Sequence, residues 1–321
     1  MNGKNLNVRY RRNTYAKTRL KVILAIVGGL AAILLILFLA VGGSLKNKVE
    51  DNNKNDDPIT DAGVDDSLPH RQALQVNGYG LSLSGLTQSG ASDKALEVSK
   101  SGGDNISFIA RDEAGKELYK SALATDMGKQ SSGTSYIDVT DIASRAKNRS
   151  LSTSAILPVS SFSKKDDIQR ASQLFYDAAI CAELYREGAS DVLVRLEDTK
   201  ISEDNIDELL RLAEWVHDLD EEVVLGITVT RKLIESEGAE VMIAKLWEGF
   251  DFIALDLTDI KSADELSQNS EGDEIQFYLL MYKMRVLLPD LSGEELQSVV
   301  AALNSMNVDN WQTVVSYDSS Q

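Results

Sequence analysis

Residues 175–196 read FYDAAICAELYREGASDVLVRL, and the pattern of this stretch decides the fold class. Leu174, Phe175, Ala178, Cys181 and Tyr185 recur at helical spacing and continue a stripe that begins at Ile168. That spacing predicts a helix over 167–187 with one face on a core. Gly188 is its natural stop, because glycine tolerates the left-handed backbone on which many helices end. Three residues on, VLVRL is a nearly continuous apolar run instead of an alternating one. Such runs are expected of parallel strands that are covered on both faces.

The same grammar recurs on either side. Strands are expected at 74–83, 106–110, 151–157, 192–196, 223–229, 252–257, 284–288 and 311–316. Between them, Ser202 caps a helix carrying Ile206, Leu209, Leu210, Ala213 and Val216, with Ile201 and Ile206 spaced as a hydrophobic staple. A helix over 236–248 ends at Gly249, and Ser292 with Glu295 forms a capping box that Leu291 and Leu296 can staple. After the third strand, successive strands start about 30–40 residues apart, the size of a β-α unit. The fold expected over 73–321 is therefore a (β/α)8 TIM-like barrel. An open doubly wound sheet is the alternative. No G-x-G-x-x-G follows the first strand, so no dinucleotide is implied, and no cofactor is expected. The link 111–136 is too long for a plain βα loop; a small hairpin over 116–122, lying across the barrel mouth, is expected there.

Further upstream the character changes. Residues 44–72 are polar, Asn/Asp-rich and almost free of large apolar side chains, which predicts a flexible acidic stalk. Asp51, Asn53 and Asn55 imitate the start of a calcium loop, but Asp56 and Ala62 stand where its glycine and glutamate belong. Residues 22–43 begin with VILAIVGGLAAILLILFLAV, long enough at 1.5 Å per residue to cross the ~30 Å hydrocarbon core of a bilayer. Residues 1–21 carry Lys4, Arg9, Arg11, Arg12, Lys17, Arg19 and Lys21 and no acid. The positive-inside rule makes this a cytoplasmic tail, a single-pass membrane anchor and an extracytoplasmic domain. A cleaved signal peptide is the rival; the long apolar run and the exit LAVGGSLK favour the anchor.

The formal net charge is −17, and the tail holds cations only, so everything beyond it is more acidic still. Nucleic acid is excluded as a partner, since its phosphates need a Lys/Arg surface. The single cysteine, Cys181, excludes an intrachain disulfide and a multi-cysteine zinc site, and in an apolar helix it reads as a buried, inert thiol. His70 and His217 are the two histidines; one falls in the stalk and the other at a helix end. No metal site and no Ser-His-Asp arrangement follow from them. Trp215 and Trp247 fall in helices and are expected to pack on the barrel, while Trp311 is open to a sugar-stacking role.

The segments NISFIARDEAGKELYKSA, RSLSTSAILPVSSFSK, FYDAAICAELYREGASDVLVRL and VVLGITVTRKL…WEGFDFIALDL resemble, in that order, an uncharacterised bacterial family of glycoside-hydrolase-like (β/α)8 barrels, often membrane-anchored or secreted. The resemblance spans about residues 73–259. It implies a ligand class, cell-envelope or environmental polysaccharide, and it carries Arg111, Asp112, Gly115 and Tyr119 over from the family pattern. It also implies a departure. Where the family's fourth strand ends in an Asp-Tyr pair, this chain has Arg195-Leu196, so the family's catalytic acid is missing.

Active sites of such barrels sit at the C-terminal ends of the strands. The acids and bases expected there are Arg111 and Asp112, then Arg195, Glu197 and Asp198, then Thr228 and Thr230, Asp256 and Asp259, Asp290, and Tyr317 with Asp318. Glycoside hydrolysis needs two flanking carboxyl groups, ~5–5.5 Å apart for retention or ~6.5–9.5 Å for inversion. Glu197 and Asp256 are the best catalytic pair; Arg111, Asp112, Arg195, Asp198, Asp259, Asp290 and Tyr317 are candidate ligand-binding residues. Glu197, Asp198 and Asp290 also have a bland reading, as acids favouring the positive end of a following helix. Arg195 leaves two roles open: it pairs with Asp256 or Glu197 and locks a dead site, or it binds an anionic sugar; the bland reading is an exposed arginine in a loop. A polysaccharide hydrolase, a degenerate barrel that only binds envelope glycan or protein, and a structural partner domain all remain open at this point.

Overall fold

All eight expected strands form: β1 (Asn77–Leu81), β2 (Asn105–Ile109), β3 (Ser152–Val159), β4 (Asp191–Leu196), β5 (Leu225–Thr230), β6 (Phe252–Asp256), β7 (Arg285–Pro289) and β8 (Trp311–Val314). The computed structural model describes residues 75–83, 86–130, 138–159, 166–196, 201, 203–267, 271–291 and 293–315. Every strand pairs in parallel with its sequence neighbours, and β8 returns to β1, which closes the barrel and excludes the open sheet. Around it run α1 (Gln88–Lys100), α2 (Ala122–Asp126), α3 (Val139–Lys147), α4 (Asp167–Arg186), α5 (Glu203–Leu219), α6 (Arg231–Ile234), α7 (Ala239–Gly249), α8 (Asp264–Ser267), α9 (Glu271–Met281) and α10 (Gly293–Ser305). The basic tail, the apolar run 22–43 and the acidic stalk lie outside the described residues. Among the described residues, no helix is long and apolar enough to cross a membrane.

The continuous apolar runs have their explanation in two cores. Outward-facing side chains such as Phe108, Leu157, Val194, Ile227, Leu255 and Val286 meet the helices. Inward-facing Ile156, Leu193, Phe252, Ala254, Leu287 and Val314 fill the barrel. At the bottom of the barrel, the fully buried Arg285 of β7 binds Asp191 of β4 through two bonds of 3.0 and 2.9 Å. Arg285 also donates to Gln312 Oε1 of β8 at 3.1 Å, and its guanidinium lies 4.2 Å from the centre of the Phe252 ring. Gly226 makes room for that ring: a Cβ there would come within 2.3 Å of it.

α4 shows how local sequence sets an element. The Asp166 carboxylate accepts from the Ile168 and Gln169 N–H groups, both at 3.0 Å, satisfying donors that the first turn leaves unpaired. At the other end Gly188 adopts φ +113°; its N–H bonds to Tyr185 O and that of Ala189 to Leu184 O. This is the glycine-dependent stop expected there. The buried face differs from the expected stripe. Leu174, Ala178 and Cys181 are buried, whereas Ile168 is 82% and Phe175 52% exposed. Phe175 leans instead on Trp215 of α5, edge to face at 5.8 Å. Trp247 is partly buried on the core, as expected, and Trp311 is buried against Tyr79, so it offers no stacking platform.

The long link after β2 is a second correction. No hairpin forms over 116–122; Glu117 makes isolated bridges to Arg111 and Gln130, and Ala122 opens α2. The reason is polar. Arg111, Tyr119 and Ser121 of this link are drawn onto α4 by Asp177 and Glu183, which bind side chains in place of a paired strand.

Candidate functional site

The C-terminal strand ends bring β4, β5 and β6 together at the mouth. Arg195 of β4 and Asp256 of β6 face inward one layer above Leu193 and Ala254, because alternate strand residues share a face. Arg195 Nε donates to Asp256 Oδ2 at 2.8 Å, and Arg195 Nη2 donates to Thr258 Oγ1 at 2.7 Å. Thr258 in turn donates to Asp256 Oδ1 through its N–H (3.0 Å) and its hydroxyl (2.6 Å). Both oxygens of Asp256 are therefore engaged. Between these strands, Thr228 of β5 accepts from the Leu196 N–H at 3.2 Å, and Thr230 stands opposite Asp256 in register. Thr230 is exposed and precedes α6 without capping it through its side chain. The side chains of Arg195 and Asp256 keep 23% and 13% exposure, so the pair is reachable from solvent.

One of the two roles open for Arg195 is thus realised in the geometry: it pairs with Asp256. Asp259 and Asp290 are exposed near the mouth. Glu197, Asp198 and Tyr317 lie outside the described residues, so the expected partner of Asp256 does too.

Arg111 and Asp112 sit elsewhere. Arg111 is 4% exposed and donates through Nε to Glu117 Oε1 (2.9 Å), and through Nη1 to Asp177 Oδ1 (2.7 Å) and Pro158 O (3.1 Å). Its charge is desolvated by burial, yet Asp177 and Glu117 outweigh that cost and hold its proton more tightly than usual. Burial pushes the Glu117 carboxyl up against the pull of Arg111 and of Tyr176, whose hydroxyl donates to it at 3.1 Å. Tyr119 and Ser121 both donate to Glu183 Oε2, at 2.8 and 2.6 Å. Asp112 closes a turn by accepting from the Lys116 N–H at 2.8 Å, with Gly115 at φ +75° inside it. These residues clasp the link after β2 onto α4. Cys181, on the same helix, is fully buried, and burial raises its thiol pKa, as suits an unreactive core residue.

Several participants were not singled out in the sequence. Thr258 carries the weak signal of a hydroxyl two residues after a strand-end aspartate, a spacing that suits a local side-chain turn. Asp177 carries a stronger one, a carboxylate flanked by Leu174, Ala178 and Cys181 on the buried stripe. Such a group needs a cation. Arg285 and Asp191 are separated by a third of the chain, and no local pattern links them.

A closed parallel (β/α)8 barrel with a polar mouth defines the class of this protein. No family model matches the chain, and no curated protein matches it. Solved structures do. A candidate alpha-L-fucosidase from Bacteroides thetaiotaomicron aligns over 80% of this chain and 91% of its own, with 14% identity and a TM-score of 0.55. Thermotoga maritima Cel5A, solved with cellobiose, aligns over 75% and 90% with 11% identity and a TM-score of 0.46. A sugar phosphate isomerase/epimerase from Parabacteroides distasonis aligns over 80% and 92% with 12% identity and a TM-score of 0.44. The structural neighbours thus include glycoside hydrolase barrels, and at these identities the likeness is one of fold.

Proposed function

We propose that the chain is a membrane-anchored, extracytoplasmic glycoside-hydrolase-like barrel whose mouth binds cell-envelope polysaccharide without hydrolysing it. The observation that carries the reading is the engagement of Asp256. A hydrolytic carboxylate attacks the sugar, takes a proton or gives one up, and each hydrogen bond that it accepts from the protein weakens it for those roles. Asp256 instead accepts from Arg195 and twice from Thr258. Binding asks less of the same residues. A fixed arginine, a carboxylate and the exposed hydroxyl of Thr230 at one mouth can exchange hydrogen bonds with sugar hydroxyls. The likeness of fold to the candidate alpha-L-fucosidase is in keeping with a carbohydrate ligand. The apolar run 22–43 and the basic tail before it support the anchor.

The test uses the full chain, purified in detergent and incubated with envelope polysaccharides, read for both retention and product release. Retention without new reducing ends is the expected result. Product release that Glu197→Gln and Asp256→Asn each abolish would make the protein a hydrolase and overturn the proposal. Neither retention nor release removes the glycan altogether and leaves a structural partner domain.

A further inference from the structure

A guanidinium presents two forks, one along Nε and Nη2 and one across its end at Nη1 and Nη2. In Arg195 the first fork is spent on Asp256 and Thr258. The end fork has no partner among the described residues, and the side chain is partly exposed at the mouth. Two bonds, to Asp256 and Thr258, hold the guanidinium by its Nε edge, and two more lock Thr258 onto Asp256, so little freedom is left to lose on binding. The planar fork matches the two oxygens of a carboxylate, and such paired bonds are the strong, geometry-selective ones.

From this geometry we infer that the mouth recognises a sugar carboxylate: Arg195 takes the carboxylate end-on, while Asp256 Oδ2 and the Thr230 hydroxyl receive the neighbouring hydroxyls. The ligand class is a uronate-containing glycan. The inference rests on the carbohydrate reading above and deepens it. Three features select this class over other anions. Asp256, directly behind the guanidinium, repels a doubly charged phosphate more strongly than a singly charged carboxylate. Among the described residues Asp256 Oδ2 accepts a single bond, from Arg195, and so keeps room for a hydroxyl, which a bare anion cannot supply. Thr230, opposite Asp256 in the ladder and free of any capping bond, adds a hydroxyl on the same face. The pairing of Arg195 with Asp256 and the binding of an anionic sugar are therefore compatible, since each uses a different fork.

Calorimetry on the full chain in detergent micelles tests this with galacturonate, glucuronate and mannuronate oligosaccharides. Their methyl esters keep the sugar and remove the charge; acetate and inorganic phosphate supply the charge without the sugar. At least one acid form is expected to bind roughly tenfold or more tightly than its ester, and than either small anion. Arg195→Lys keeps the cation but loses the fork, and is expected to abolish the preference for acid over ester. Thr230→Val, at an exposed position, is expected to leave the melting temperature unchanged and to weaken acid and ester alike. Equal binding of acid and ester, or a preference that survives Arg195→Lys, overturns the carboxylate fork while glycan binding stands. Phosphate binding as tight as the uronate overturns the sugar class. Binding of neutral envelope glycans but of no uronate overturns this inference alone, and binding of no glycan of either kind overturns the proposed function with it.

Discussion

Glu187 shows how one residue's surroundings set a pH response. It closes α4, half-buried, beside Glu183 and Asp138, and burial first, then those two carboxylates, push its carboxyl up to about 7; Lys120 opposes them. A carboxyl whose pKa is raised on folding binds more protons folded than unfolded. Its contribution therefore weakens stability as pH rises from the unfolded value near 4.5 through about 7. Glu187→Gln, which holds a neutral side chain at every pH, is expected to melt progressively higher than the parent as pH rises from 5 to 8. Parallel melting curves for the two proteins across that range would refute the assignment. The Arg111 cluster belongs to the same scale: one guanidinium serves Glu117 and Asp177, two buried carboxylates on different segments. Its work is to hold the link after β2 against α4.

At the scale of elements, the barrel is tied across its bottom as well as around its circumference. β4 and β7 are not neighbours in the sheet, yet Asp191 and Arg285 join them through the interior with no solvent exposure. Removing one partner strands a charge in the core. Arg285→Met is expected to cost roughly 3–5 kcal/mol in urea unfolding. Adding Asp191→Leu should recover much of that loss, because the pair had to be desolvated to form. A single variant as stable as the parent would show that the pair carries no such load. At the mouth, the same device is partly exposed. There Arg195 and Asp256 bridge β4 and β6 over β5, and Thr228 ties β5 to β4 beneath them.

For the whole molecule, the proposed membrane anchor is the feature to test. The seven cations ahead of the apolar run and the acidity after it argue for an outside barrel on a cytoplasmic tail. The full chain is expected to stay with membranes through an alkaline carbonate wash, and a chain lacking residues 1–43 to be released into the soluble fraction. A mature N-terminus beginning just after the apolar run would instead mark a cleaved signal peptide.

The order and kind of elements were legible in the chain. Apolar runs at β-α spacing marked all eight strands, and Gly188 marked the end of α4, because burial on two faces and a positive φ leave local signatures. Arg195 and Asp256 were legible as strand-end residues, and their pairing as one of two outcomes. What only the tertiary structure decided is which distant charges meet. Arg111 turned away from the mouth to Asp177 and Glu117, Arg285 found Asp191 through the barrel, and Thr258 locked Asp256. Periodicity is written in neighbours a few residues apart and survives in one dimension. A buried charge is satisfied by whichever partner the closed barrel brings within about 3 Å, and that choice is made only when the strands come round to meet.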